Sequence, residues 1–256
     1  MQEEHTELES IKGDLAVARE IQLAILPRIF PPFPENESQI DIAAQMTAAK
    51  DVGGDFYDFF RIDDDRIGFV IADVSGKGVP AAIFMAVSRT LIRATGIRGG
   101  SPAECMTYVN ELLTKESVDC MFVTVFYGIY NIQTGEITYC NAGHNPPFIL
   151  KQDRRVEMLQ MPKDPFVGAV EGITYHEEKM VLEKGDMLFM FTDGVNEAMN
   201  ESLEEFGDSR LEETLKGVTT HSCQEVIDAV TANVKAFVGE AEQSDDITML
   251  VFKRKA

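Results

Sequence analysis

Four apolar, strand-like runs in this 256-residue chain carry an aspartate at or just beyond one end: Asp55 in VGGDFYD, Asp73 in IGFVIADVSGKG, Asp193 in DMLFMFTDG and Asp245 in SDDITMLVF. A single carboxylate at a strand end can be a solvated cap. Four that converge on one edge of a sheet repel each other unless divalent cations neutralise them. The pattern therefore constrains fold and chemistry together, because it asks for a sheet whose edge is a metal site.

The missing ligands narrow the metal. Neither HExxH nor paired CxxC occurs, and hard oxygen donors select Mg²⁺ or Mn²⁺ over Zn²⁺. Carboxylate sites holding two such ions bind oxyanions, lower the pKa of bound water and stabilise in-line phosphoryl transfer. A phosphate-ester hydrolase is the first expectation.

A formal net charge of −20, with only 23 Lys and Arg residues, argues against a nucleic-acid partner. Cys105, Cys120, Cys140 and Cys223 lack metal-type spacing and read as buried reduced thiols, which fits a reducing, cytoplasmic compartment. The first residues are acidic (Glu3, Glu4, Glu7, Glu9), and no apolar run approaches the roughly 20 residues that span a bilayer.

From Leu8 to Leu26, the residues Leu8, Ile11, Leu15, Ala18 and Ile25 follow a heptad spacing that only Gln22 breaks. This amphipathic helix either packs on its own domain or pairs with a second copy, and both readings stay open. Pro27, Pro31, Pro32 and Pro34 end it, so residues 1–34 read as helix plus linker and 35–256 as the principal domain.

Strands are expected at Ile40–Met46, Val52–Arg61, Ile67–Val74, Met121–Tyr130, Glu136–Cys140, Val156–Leu159, Tyr175–Leu182, Met187–Phe191 and Ile247–Lys253. Helices are expected at Pro80–Thr95, Pro102–Lys115, Ser209–Lys216 and Ser222–Val238. Hairpin-joined strands with helices in pairs predict an α+β fold of antiparallel sheets covered by helices, not a doubly wound parallel sheet.

The most specific local signal is the apolar run that ends at Asp73 and turns through Gly76 and Gly78 without a P-loop pattern. Asp193 before Gly194 repeats it. Gly53-Gly54 lets the backbone crowd a neighbour beside Asp55, whereas Asp58 alternates to the other face and reads as solvated or capping. Asp245 and Asp246 point in opposite directions on entering a strand, so one of them ligates directly. His144, in NAGHNPP, invites a general-acid role, but its turn-forming neighbours favour simple hydrogen bonding in the turn.

AREIQLAILP, VGGDFYDFF, IADVSGKGVPAAIFMA, NAGHNPPFIL, FTDGVNEAMN and SDDIT appear in one order between Ala16 and Phe252. Together they resemble the metal-dependent serine/threonine phosphatases of the type-2C superfamily, and more closely its bacterial RsbU/SpoIIE-like branch of sigma-factor regulators. The resemblance implies a four-layer αββα sandwich with a centre of two Mn²⁺ or Mg²⁺ ions at one end. It makes Asp73 the bridging carboxylate, Val74 a backbone-carbonyl donor, Asp193 and Asp245 ligands, and Asp55 a ligand direct or through water. Asp246, where many relatives have Asn, and Gly76 fall in supporting positions. Lys50 stands near the place where eukaryotic relatives hold the substrate phosphate with arginine.

The implied activity is hydrolysis of phosphoserine or phosphothreonine by a metal-activated water. The implied substrate is a phosphorylated anti-sigma-factor antagonist of the STAS fold in a partner-switching pathway. An upstream sensor domain, an activator protein or a homodimer through the N-terminal helix is the expected control. The alternative is a catalytically silent module that only binds its partner.

Overall fold

Along one short strand, β9 (Met187–Phe191), every residue is buried, and alternate side chains enter different cores. Leu188 and Met190 point between two sheets; Met187, Phe189 and Phe191 point beneath helices. A strand covered on both faces reads as an unbroken apolar run, and its period-2 geometry makes it the shared wall of two layers. The computed structural model describes residues 2–116, 121–162, 164–219 and 221–256, with side chains from Glu9 onward apart from Glu116. Cys120 lies outside them; the other three cysteines are buried free thiols.

One sheet has the order β1-β10-β9-β6-β7, where β1 is Ile40–Thr47, β6 Phe148–Leu150, β7 Val156–Met158 and β10 Ile247–Arg254. The other has the order β2-β3-β4-β5-β8, where β2 is Phe56–Arg61, β3 Arg66–Val74, β4 Val123–Asn131, β5 Glu136–Ala142 and β8 Glu178–Val181. Every paired neighbour is antiparallel. Helices α2 (Val79–Gly96) and α3 (Pro102–Glu116) cover the second sheet. Helices α5 (Gly207–Lys216) and α6 (Cys223–Val238) cover the first, giving the expected four layers. Between the sheets Phe252 packs on Phe69 and Tyr130, with ring centroids 5.3 and 4.7 Å apart. Truncating so central a ring costs roughly 3–5 kcal/mol.

Helix α1 (Gln2–Ile25) ends one residue before the buried Leu26, and its exit is held by Tyr57, whose hydroxyl donates to the Pro27 carbonyl at 3.0 Å. Leu15, Ala18 and Ile25 are half-buried, but Ile11, Val17 and Ile21 are more than half exposed. The apolar stripe is thus only partly used within this chain. Among the described residues, no helix is long and apolar enough to cross a membrane.

Two strand expectations shorten. Val52–Asp55 is a loop rather than the start of β2, because its glycines press against other segments: a Cβ on Gly53 would lie 2.2 Å from the Asp246 carboxylate. Tyr175 drops out of β8 because its hydroxyl turns inward to the Phe166 carbonyl, at 3.2 Å. The three-residue β6 and the four-residue helix α4 (Asp193–Asn196) are too short to leave a period in the sequence.

Candidate functional site

The register of β2 on β3 pairs Phe56 with Ala72, so one step beyond the last pair Asp55 meets Asp73. Their carboxyl groups are close enough to influence each other's charge. Asp55 is 2% exposed, and Thr192, which follows β9, donates its hydroxyl to Asp55 Oδ2 at 2.7 Å. The other sheet thus reaches across to the pair. Thr192 is held in turn by the Thr248 amide, which donates to its hydroxyl at 3.0 Å.

Asp193 is the first residue of α4 and accepts from the Gly194 amide. Gly194 lies so close to β10's entry that a Cβ there would stand 1.9 Å from the Asp246 carbonyl oxygen. Only glycine lets Asp193 and the 245–246 segment sit together. Asp245 pairs with Lys77 Nζ at 2.7 Å, and the same ammonium donates to the Ser244 carbonyl at 2.6 Å.

Asp246 faces the other way and organises the loop before β2. Its Oδ1 accepts from the Ala49 amide at 2.8 Å, and its Oδ2 accepts from the amides of Gly54 at 2.7 Å and Asp55 at 3.4 Å. Val74 is buried, and its carbonyl oxygen faces Gly54 at a separation that a Cβ there would reduce to 2.9 Å. Gly76 turns the chain with φ 87°, next to Ser75, whose hydroxyl accepts from the Phe122 amide at 3.0 Å. Lys50 is exposed on the loop beside Ala49.

Charge at this edge is undercompensated. Burial, then the charge of Asp193, pushes the Asp73 pKa up to about 7, against the opposing hydrogen bond from Asp55. Burial raises Asp55 well above the ordinary carboxylate range, with Asp73 and Asp246 adding to it and the Thr192 and Thr248 hydroxyls opposing. Asp193 is raised by burial and then by Asp245. Lys77 is raised by its hydrogen bond to Asp245.

An all-oxygen, net-negative donor set of this kind suits a hard divalent cation. Among the described residues, no three His, Cys, Asp or Glu side chains close into a ready-made cage.

One side chain changes its reading, and another keeps its own. Asp58, expected as solvated or capping, is 2% exposed and ion-paired with Arg89 and Arg93 of α2 at 3.0 and 2.7 Å, because β2 is covered by that helix. His144 is buried, and its pKa is pushed down to about 4, so it is neutral at pH 7 and no proton donor there. Asn141 brackets its backbone from both sides, and its Nδ1 meets the Thr124 hydroxyl at 2.8 Å. Lys77 and Thr192 carry contacts at the site that sequence reasoning missed. Lys77 had one signal, its place between Gly76 and Gly78 in the Asp73 motif.

This sandwich is the fold of PP2C domains: it superposes on the SiaA PP2C domain of Pseudomonas aeruginosa with a TM-score of 0.82, at 22% identity over 97% of this chain and 98% of that one. Residues 63–255 match the model of the stage II sporulation protein E (SpoIIE) family, and the chain belongs to that family. It is 30% identical over 250 residues to phosphoserine phosphatase RsbU of Bacillus subtilis, covering 96% of this chain and 72% of RsbU. It is 32% identical over 268 residues to protein IcfG of a Synechocystis species, covering 94% of this chain but only 41% of IcfG. The chain thus spans about two fifths of that relative's length.

Proposed function

We propose that this chain is a metal-dependent protein phosphatase that hydrolyses phosphoserine or phosphothreonine on a regulatory protein. The observation that carries the reading is the pairing of buried Asp55 with half-buried Asp73, two interacting carboxylates with Asp193 and Asp246 nearby. Resemblance to a phosphoserine phosphatase over nearly the whole chain supports it.

In this reading Asp73, the Val74 carbonyl, Asp55, Asp193 and Asp245 hold two Mn²⁺ or Mg²⁺ ions. When bound, those ions supply charge neutralisation for the phosphate and an acidified water. Asp246 keeps the 49–55 loop closed over the site, and Gly76 keeps the turn beside it. Lys77 balances Asp245, and Lys50 offers a point charge to the incoming phosphate. His144, neutral, orders the turn and transfers no proton.

The substrate that fits the family is a phosphorylated STAS-domain antagonist of an anti-sigma factor. Residues 1–34 act as a signalling appendage to a catalytic domain at 35–256. Exposed Ile11 of the heptad stripe, with Val17 and Ile21 on the adjoining helix face, supplies an apolar surface for a homodimer, and an upstream sensor domain or activator protein is the alternative user of that surface.

The test is phosphate release from an aryl phosphate and from a phosphoserine protein, with Mn²⁺, with chelator and with Asp73→Asn. Metal-dependent release that the substitution abolishes is expected. Full activity in Asp73→Asn would overturn the mechanism, and no release at saturating metal would favour the silent binding module.

A further inference from the structure

Gln22 is the one break in the apolar stripe of α1, and it is not exposed. It is 6% accessible, and its carboxamide grips both backbone groups of Gly53 at once. Nε2 donates to the Gly53 carbonyl at 2.5 Å, and the Gly53 amide donates to Oε1 at 3.0 Å. A leucine or methionine there would continue the stripe and favour the helix equally. A buried amide at such a position calls for a specific partner, and this one has two.

The residue it grips stands two before Asp55. Gly53 is buried and crowded by Asp246, and its successor Gly54 is tied to Asp246 Oδ2. The loop leading to Asp55 is therefore clamped from two sides, by a neutral carboxamide from α1 and by a carboxylate from the entry to β10. Glycine loops lose much conformational entropy on ordering, so without both clamps this one would not hold a fixed path.

Resting on the metal-centre reading above, we infer that Gln22 is a positioning residue for the metal site: its two hydrogen bonds to Gly53 fix the path of the Gly53-Gly54-Asp55 backbone and so aim the Asp55 carboxylate at the bound ion. Gln22 touches neither metal nor substrate. Its effect reaches the ion through one backbone segment, as groups that orient metal ligands from behind commonly do.

The test compares Gln22→Met, which keeps length and helix preference but cannot bond to Gly53, with Gln22→Asn, which stays polar but is one methylene too short. Leu15→Ala is the control, because it loosens the packing of α1 without touching the loop. Mn²⁺ binding to metal-stripped protein is measured by titration calorimetry, and amide hydrogen exchange is followed over residues 53–55. Both Gln22 variants are expected to bind Mn²⁺ about tenfold more weakly or worse, with faster exchange at 53–55, while Leu15→Ala binds like the wild type. Wild-type affinity in folded Gln22→Met or Gln22→Asn overturns the inference and leaves the phosphatase reading standing. Equal weakening by Leu15→Ala also overturns it, since α1 packing alone would then explain the loss. A wild-type protein that binds no Mn²⁺ overturns both readings.

Discussion

Asp55 and Asp58 stand three residues apart at the head of β2, each 2% exposed, and the protein handles their charges in opposite ways. Asp58 turns toward α2. Arg93 Nη1 donates to its Oδ1 at 2.7 Å, the Phe59 amide donates to the same oxygen at 2.9 Å, and Arg89 Nε lies 3.0 Å from Oδ2 as an ion pair. Burial still raises its pKa, but both guanidiniums pull it back. Asp55 turns toward Asp73 and Asp246, and hydroxyls are what oppose the rise in its pKa. A buried carboxylate is tolerable only when something compensates it. For Asp58 that cation is part of the chain, and the group fastens a helix to a sheet. For Asp55 the proposed metal would supply it, which would make the group part of a site rather than a strut.

The largest separation between the two is expected in turnover. Asp73→Asn or Asp55→Asn should cut metal-dependent phosphate release roughly 10³-fold, about 4 kcal/mol of transition-state stabilisation. Asp58→Asn should leave turnover per folded molecule within a few fold. An aryl phosphate assay on the three variants checks this, and a comparable loss in Asp58→Asn would erase the distinction.

Stability in chelator should split the same pair with opposite signs. Asp58→Asn strands Arg89, whose side chain is 15% exposed, and half-exposed Arg93. A loss of about 3 kcal/mol is expected, the low end for a broken buried pair. Asp55→Asn removes a desolvated charge among like charges and should raise the urea midpoint. Destabilisation by both substitutions would mean that Asp55, too, is a strut.

A pH series sharpens the point. The folded pKa of Asp73, about 7, lies above its ordinary 3.8, so the stability this group contributes is complete below about pH 4 and is lost as pH rises through 7. His144, lowered from 6.5 to about 4, works in the opposite sense, contributing stability above 6.5 that is lost as pH falls through 4. The His144 contribution cancels between wild type and Asp73→Asn. In chelator the advantage of that variant over the wild type should therefore widen from pH 4 to pH 7.5, and saturating Mg²⁺ should abolish it. Paired urea melts across that range measure it, and a flat difference would refute the raised pKa.

The smallest effect belongs to the exposed pair. Lys77 and Asp245 have side chains 44% and 39% accessible. Lys77→Met should change the unfolding free energy by less than about 1 kcal/mol in urea melts. A larger loss would mean that the acidic edge already relies on a cation of its own.

Legibility followed burial and length. Strand β9 was readable to the residue, because an element buried on both faces leaves an unbroken apolar run between turn formers. Helix α6 was equally clear, since Ser222 and Glu225 form its capping box. Of the four strand-end aspartates, Asp55 and Asp73 do meet, as the strand-end pattern suggested. What failed was short or relational: β6 and α4 are below any period, and Gly53-Gly54 looked like strand until Asp246 crowded it. Asp58 looked solvated because alternation reports which face a side chain takes, not what covers that face.

By itself the sequence determined antiparallel sheets covered by helices, the helix pairs and the stock of carboxylates at the strand ends. Those follow from periodicity, caps and turn residues, all of which act within a few neighbours along the chain. Only the tertiary structure decided which carboxylates meet, that Lys77 meets Asp245, that Asp246 faces the loop, and that Gln22 of α1 grips Gly53. Those pairings join residues 18 to 197 positions apart. They depend on strand register and on how a helix docks against a loop, and no local period carries that information.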